Sequence, residues 1–372
     1  MNYYYYYNFK IYRVIEIMNF KLNKSVLENM LINLQSFLEK KDISAITSHV
    51  FIQAGHSEIV IKASDYEIGL QIITDQGNVT EAGSLTANGK KLLDIIRILK
   101  DEEVELYAQD NMLHIKQKKS KFKLPTFDAN EFVQFPSTDN KPRIEIDSLQ
   151  LIRSLKKITP AIDTNNPKFE LNGALLDITS DTMSFVSTDT RRLSIMKTTS
   201  NAQSELMIII PKKAIIEIQK LFIDKIDIFY DETHLMIKSA NSFFFTKLIN
   251  GKYPDYQRII PKSINSTLTL NKSSMIEAIK QIITISNDVK LLIDSDAIYF
   301  ESLSEDNIEA KTEMLLEHGL NEPLTLAVNS RYILDFLAQI ETTEFSFELN
   351  DANLPFILKS GDFQTIIMPI II

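Results

Sequence analysis

Asn23, Asp147 and Asn271 stand 124 residues apart, each at the same point of one local pattern. NFKLNKSVLENML from Asn19, RIEIDSLQLIRSL from Arg143 and STLTLNKSSMIEAI from Ser266 share it. Each is a short alternating strand, then Asn or Asp, then an apolar stripe at helical spacing. Asp65 in KASDYEIGL and Asp189 in VSTDTRRLS keep the same interval, as do Ser48 and Asn172, each of which opens an apolar strand. A second strand–helix unit follows in every repeat: SLTANGKKLLDIIRIL, MIIIPKKAIIEIQKLF and LTLAVNSRYILDFLAQI. Asn88, Pro211 and Asn329 mark the helix starts. Asn can accept from an orphan backbone N–H there, and Pro suits the first helical turn. The chain therefore reads as three domains of two half-domains each.

Period-two stretches follow the second helices: EEVELYAQDNMLHIKQ, KIDIFYDETHLMIKS and TEFSFELN. Alternating apolar residues on either side of Asp-rich turns predict antiparallel hairpins. The fold class is α+β, each domain a pseudo-twofold pair of helix-plus-antiparallel-sheet units. Polar, Pro-containing linkers at 136–143 and 261–267 place the domains at 18–138, 139–264 and 265–372. Residues 1–17, with a run from Tyr3 to Tyr7, stand outside the repeat. Lys10, Arg13 and Glu16 interrupt any signal-type apolar core. The segment reads as an upstream extension with Met18 as the natural start; an extra edge strand is the alternative.

A net charge of −9 speaks against nucleic acid at first sight. Its distribution reverses that reading. The six helix windows (23–41, 88–100, 147–159, 212–222, 271–284 and 329–341) hold 16 Lys and Arg against 8 Asp and Glu, leaving −17 on the remainder. Lys favours helices and Asp favours loops, so part of the separation is propensity. Propensity explains less well the clusters at Lys90, Lys91, Arg97 and Lys100 and at Arg153, Lys156 and Lys157. Cationic helices gathered on one face would attract phosphates without reading sequence.

Catalytic signatures are missing. There is no cysteine, hence no thiol nucleophile, iron–sulfur cluster or Cys-based zinc site. His49, His56, His114, His234 and His318 form no HExxH or HxH. Neither G-x-S-x-G nor G-x-G-x-x-G occurs. GSLTANGK (83–90) has five residues between its glycines and Lys91 where a phosphate loop needs Ser or Thr. Asp294 with Asp296, and Asp231 with His234, read as solvated turns. No apolar run approaches the roughly 20 residues needed to span a bilayer. No cofactor or metal is expected, and a chain without a nucleotide site must rely on others for ATP-driven steps.

Four stretches carry a resemblance: KFELNGALLDI (168–178), STDTRRLS (187–194), KLINGKYPDYQRIIP (247–261) and IIMPIII (366–372). They resemble, in order, the second-domain strand, the T-D-G-H-R-L loop, the G-x-[FY]-P-[DN]-Y motif and the M-P terminus of the bacterial DNA polymerase III beta subunit family, the DNA sliding clamps. The resemblance runs from Met18 to Ile372. It implies a noncatalytic, cytoplasmic, nucleoid-associated processivity factor: a head-to-tail homodimer ring, helices inside and sheets outside, around double-stranded DNA. Implied partners are the polymerase III alpha subunit, the clamp loader, and other polymerases and repair proteins, docking through short peptides. The peptide pocket implied by motif is Leu171, Thr188, Thr190, Arg191, Arg192, Leu193, Pro254, Ile259, Asn329, Tyr332, Pro355, Ile366, Met368, Pro369 and Ile370. Two departures bear on peptide preference: Thr190-Arg191 stands where the family has Gly-His, and Glu170 where it has a Tyr. Phe122 and Leu124 are implied to meet Thr284 and Ile285 of a second subunit, with Glu305 and Glu309 facing basic residues. The DNA-facing set is Lys41, Lys90, Lys91, Arg97, Asn165, Lys212 and Lys213. The rival reading is a peptide-binding scaffold of the same fold that does not encircle DNA.

Overall fold

The computed structural model describes residues 18–42, 45–202, 204–222, 225–303 and 308–371; the expectations for residues 1–17 and Glu305 lie outside the described residues. The first repeat runs β1 (Asn19–Asn23), α1 (Lys24–Leu34), β2 (His49–Ala54), β3 (Ile59–Ser64), β4 (Ile68–Thr74), β5 (Asn78–Glu81), β6 (Gly83–Asn88), α2 (Gly89–Ile98), β7 (Glu103–Gln109), β8 (Met112–Gln117) and β9 (Ser120–Pro125). The second runs β10 (Arg143–Ile144), α3 (Ser148–Ile158), β11 (Gly173–Ile178), β12 (Thr182–Thr188), β13 (Arg192–Thr199), β14 (Leu206–Pro211), α4 (Lys212–Leu221), β15 (Asp227–Tyr230), β16 (His234–Lys238) and β17 (Ser242–Lys247). The third runs β18 (Ser266–Asn271), α5 (Lys272–Ile282), β19 (Asp288–Ile293), β20 (Ala297–Ser302), β21 (Lys311–Leu315), β22 (Leu324–Asn329), α6 (Ser330–Gln339), β23 (Glu344–Leu349), β24 (Phe356–Ser360) and β25 (Phe363–Ile367). Apart from the extra β5, each repeat is the same β-α-β-β-β unit used twice.

The repeated polar residues do the work expected of them. Asn23 accepts from Ser25 N, Asp147 from Leu149 N and Gln150 N, and Asn271 from Ser273 N and Ser274 N. Asn88 and Asn329 cap α2 and α6 in the same way. Each such cap is worth about 1 kcal/mol. Pro211 is itself the cap residue of α4, one position earlier than a first-turn Pro, and offers no side-chain bond. Helix α1 ends at Leu34, well short of the 23–41 window, and passes into a short 3₁₀ turn over Gln35–Phe37. Buried Leu34, Phe37 and Leu38 continue the apolar stripe through that turn, which is why periodicity overran the helix. Asp110 and Asn111 both take positive φ, 54° and 56°, as a two-residue hairpin between β7 and β8 requires.

The described chain packs as two compact units. One takes the residues up to Asp139 together with Met236–Phe245. It holds the sheet β5-β1-β7-β8-β9, and the run β6-β2-β3-β4, beside which β17 lies. Helices α1 and α2 pack together, burying Leu27, Met30, Leu31 and Leu34 of one and Leu92, Leu93 and Ile96 of the other. Within this core His49 is 3% exposed, stacked on Phe127 at 4.2 Å with Nδ1 3.2 Å from the Thr86 hydroxyl. Burial, and then the charge of Lys91, push its pKa down from 6.5 to about 4. The folded state thus binds this proton less readily than the unfolded chain. The associated stability is intact above pH 6.5 and is lost as the pH falls toward 4, by up to about 3 kcal/mol. His49→Gln should flatten the denaturation midpoint between pH 6.5 and 4; an unchanged slope would remove His49 as its source.

The second unit takes residues 140–235 and 246–372. Its main sheet is β14-β11-β12-β13-β25-β24-β23-β18, in which β13 of the second repeat pairs with β25 of the third. A four-stranded sheet, β21-β20-β19-β22, completes the third repeat. Helix α3 packs against both α4 and α6, and α6 against α5, so four helices form one row. Leu151, Leu155 and Ile158 of α3 and Ile333, Phe336 and Leu337 of α6 face inward at helical spacing.

Candidate partner-binding site

The seam between β13 and β25 positions most of the expected pocket residues. Arg192 pairs with Ile367 and Leu193 with Ile366, while Phe356 on β24 pairs with Ile367 from the other side. Three adjacent strands therefore end on one rim. Thr190 and Arg191 lie there beside Met368, whose N–H donates to the Arg191 carbonyl at 2.9 Å. Pro355 immediately precedes Phe356, the first residue of the third strand, β24. The tail continues along β22, where Ile370 N donates to Ala327 O at 2.7 Å.

Beneath the rim lies an apolar cluster: Leu171, Leu175, Val186, Leu193, Ile195 and Ile366 with the rings of Tyr253 and Tyr256. Leu171, Leu193 and Ile366 are only 1–2% exposed, so they form the floor and not the contact surface. Of the other expected residues, Met368 and Ile259 are each 40% exposed, and Pro254, Pro355, Pro369 and Ile370 are half-buried. Tyr256 donates to Asp177 Oδ2 at 2.7 Å, and burial together with that carboxylate pushes its phenol up. Burial raises Tyr253 as well. Both tyrosines stay neutral, Tyr256 as a donor to Asp177 and Tyr253 with its hydroxyl buried without a hydrogen-bond partner among the described residues. Glu170 reaches over Gly251, which takes φ +155°.

The turn from Thr188 to Arg192 carries the polar part of the rim. Asp189 Oδ1 accepts from the N–H groups of Arg191 and Arg192, at 3.1 and 3.0 Å. Thr188 Oγ1 accepts from Thr190 N and donates to Arg192 O. Arg192, expected as a pocket wall, is 7% exposed and its guanidinium is already engaged. Nε donates to Asp189 Oδ2 at 3.0 Å, Nη1 to Asp335 Oδ2 at 2.7 Å and Nη2 to Pro160 O. Its Cζ lies over the Tyr332 ring, 4.6 Å from the centroid. Asn329 caps α6 and also donates to Asp288, so it too is structural. Asp335 escaped the sequence reading. Its signal was its position three residues after Tyr332, one turn along the same helix face.

The DNA-facing set divides. Lys90, Lys91 and Arg97 are exposed on α2, with Arg97 3.8 Å from Glu28, and Lys213 is exposed on α4. Asn165 is exposed in the loop after α3, and Lys41 is exposed outside α1, beyond its 3₁₀ extension. Lys212 differs from these: it is half-buried, and its ammonium donates to Ile162 O at 2.6 Å, tying α4 to the segment after α3. Burial lowers its pKa. Lys272 does the equivalent in the next repeat, donating to Ile340 O at 2.7 Å.

At the other end of the elements, β9 and β21 each close a sheet with one edge unpaired among the described residues. Leu124 faces inward on β9 at 7% exposure, so it belongs to its own core, with Phe122 half-buried beside it. Lys121 and Lys123 point outward. Thr284, Ile285 and Glu309 are exposed, and Leu315 on β21 is 77% exposed.

Comparison with known proteins agrees with this architecture. The sequence profiles of the N-terminal, central and C-terminal domains of the DNA polymerase III beta subunit match residues 18–136, 145–255 and 257–371. The beta sliding clamp of Helicobacter pylori J99 is 38% identical over 372 residues, spanning 95% of this chain and all of that protein. The crystal structure of the Helicobacter pylori clamp bound to a DNA ligase peptide is similar at a TM-score of 0.91 and 40% identity, over 95% of this chain and all of that one. The beta subunit of Pseudomonas aeruginosa, at 22% identity and a TM-score of 0.90, shares the fold over the same spans. Three consecutive domain matches and a full-length relative place the chain in the DNA polymerase III beta subunit family, the beta sliding clamps.

Proposed function

We propose that two copies of this chain close head to tail into a ring around duplex DNA, and that the ring tethers the replicative polymerase to its template. The carrying observation is the charge of the helix surfaces. Across the six α-helices of the described residues, nine Lys or Arg are exposed (90, 91, 97, 153, 156, 213, 220, 280 and 331) against two exposed acids, Asp94 and Glu277. None of the six helices has an acidic residue in its first turn, although an anion there is the stabilising choice. Five of these N-termini, all but that of α3 with its Asp147 cap, are left without a carboxylate of their own and can receive phosphates. Weak contacts suffice in a ring, because topology does the holding and sequence-independent contacts permit sliding.

The strand order supports closure. β4 ends the inner run of the first repeat and is flanked by β17; β13 ends that of the second and pairs with β25. By the same rule β21 of the third repeat needs the last strand of a first repeat, β9, which only a second copy can supply. Lysines on β9 would meet the acidic side of β20–β21, where Glu309 and Glu313 lie. Such a heterologous contact closes when two copies complete the circle. The domains are then residues 18–138, 139–264 and 265–372, although the match to the C-terminal domain already begins at residue 257.

Partners dock a short peptide on the rim of Met368, Ile259 and Pro254, as an apolar surface with a few polar orienting groups allows. They include the polymerase alpha subunit, a clamp loader that supplies ATP-driven opening, and repair proteins such as a ligase. The protein works without catalysis, in the cytoplasm on the nucleoid. Loaded by a clamp loader and ATP onto nicked circular duplex, it should survive gel filtration in high salt and be released when the circle is cut. Failure to remain on intact circles would leave only a peptide-binding scaffold.

A further inference from the structure

Thr190 takes φ 74°, in the left-handed region that a β-branched residue strongly resists. Strain of this kind persists only where the surroundings over-determine the conformation. Around Thr190 the Thr188 hydroxyl holds the Thr190 amide, and the remaining surroundings converge on Arg192. Asp189 fixes the turn through Oδ1, and its second oxygen is held by Arg192 Nε. The rest of the guanidinium is anchored away from the turn, by Pro160 O in the same repeat and by Asp335 and Tyr332 on α6 of the next. The turn in turn carries Met368, through the Arg191 carbonyl. A continuous path therefore runs from Asp335 through Arg192 and Asp189 to the exposed rim, and Asp335 lies at its far end.

We propose that Asp335 is a positioning residue for the partner pocket: through Arg192 it holds the strained Thr190 turn in the shape that presents Met368 and Arg191 to a peptide. This rests on the pocket reading given above. Loss of the Asp335 carboxylate leaves a buried guanidinium with a single carboxylate partner, Asp189. That guanidinium then draws Asp189 away from the turn amides, and the left-handed Thr190 is left with the Thr188 hydroxyl as its remaining brace. A glycine at position 190 adopts φ 74° without strain, so it needs no brace. The dependence on Asp335 is thus conditional on the residue at 190, which a general role in stability would not be.

The test is Asp335→Ala, alone and combined with Thr190→Gly, read by fluorescence anisotropy with a labelled DNA ligase peptide of the kind bound by the Helicobacter pylori clamp. Asp335→Ala should weaken the Kd about tenfold or more. The double variant should return to within about twofold of Thr190→Gly alone. Hydrogen exchange at the amides of Arg191, Arg192 and Met368 gives a readout that needs no peptide. It should quicken in Asp335→Ala and slow again in the double variant. Unchanged exchange and affinity in Asp335→Ala, or a loss that Thr190→Gly leaves in place, overturns the proposal. Wild-type protein that binds no peptide, with exchange behaving as described, sinks the pocket reading and leaves the brace standing.

Discussion

Glu313→Lys together with Leu315→Lys should convert the particle from two protomers to one. Leu315 is 77% exposed on a strand whose outer edge has no partner among the described residues, and Glu313 is exposed two positions earlier on the same strand. An apolar residue on an unpaired edge invites pairing with another chain, and natural proteins usually place a charge there to prevent it. The proposed partner strand, β9, displays Lys121 and Lys123. Two new lysines opposite them replace attraction and apolar contact with repulsion. A loss on the order of 3–5 kcal/mol is expected, several hundred-fold or more in dimer affinity. Both positions are exposed within the protomer, so its unfolding midpoint should move little. Native mass spectrometry at micromolar concentration reads the outcome directly; a retained dimer would refute the edge-to-edge contact.

Deletion of residues 368–372 should abolish peptide binding and spare the assembly. The deletion removes Met368, an exposed apolar group on the rim, and the tail bonds to Arg191 O and Ala327 O. It begins immediately after Ile367, so β25 and its pairing with β13 and β24 remain. Apolar anchors at the centre of a small interface commonly carry 2 kcal/mol or more each, so affinity should fall by about a hundredfold or beyond. Anisotropy with the ligase peptide and native mass of the same sample separate the two effects. Intact peptide binding would remove the tail from the pocket.

Much of this molecule is legible before any coordinates. The 124-residue interval locates Asn23, Asp147 and Asn271, and all three cap helices by the bond that their chemistry predicts. Alternation locates the hairpins because side chains on a strand answer to one face at a time. What escaped was set by partners remote in sequence. Lys212 reads as a surface cation, yet its ammonium is claimed by a carbonyl 50 residues earlier. Arg192 reads as a ligand-facing group, yet Asp335, 143 residues on, has claimed its guanidinium. No local pattern encodes either pairing. Leu124 differs again: the resemblance implied an interface role, alternation alone left core or interface open, and the packed sheet turns it inward at 7% exposure. The overrun of α1 has a third cause, since a 3₁₀ turn sustains an apolar stripe nearly as well as an α-helix does.

The native chain contains no cysteine, so a thiol placed on β9 and another on β21 can form disulfides only with each other or with their own copies. A small scan pairing Lys121→Cys or Lys123→Cys with Glu313→Cys or Leu315→Cys, oxidised and weighed under denaturing conditions, asks whether the two bare edges meet around a closed circuit. The account calls for a covalent species of two chains and none larger, one that stays locked on a closed DNA circle after denaturation. Monomers alone across the scan, or a ladder of growing multimers, would mean that these modules do not bend into a ring.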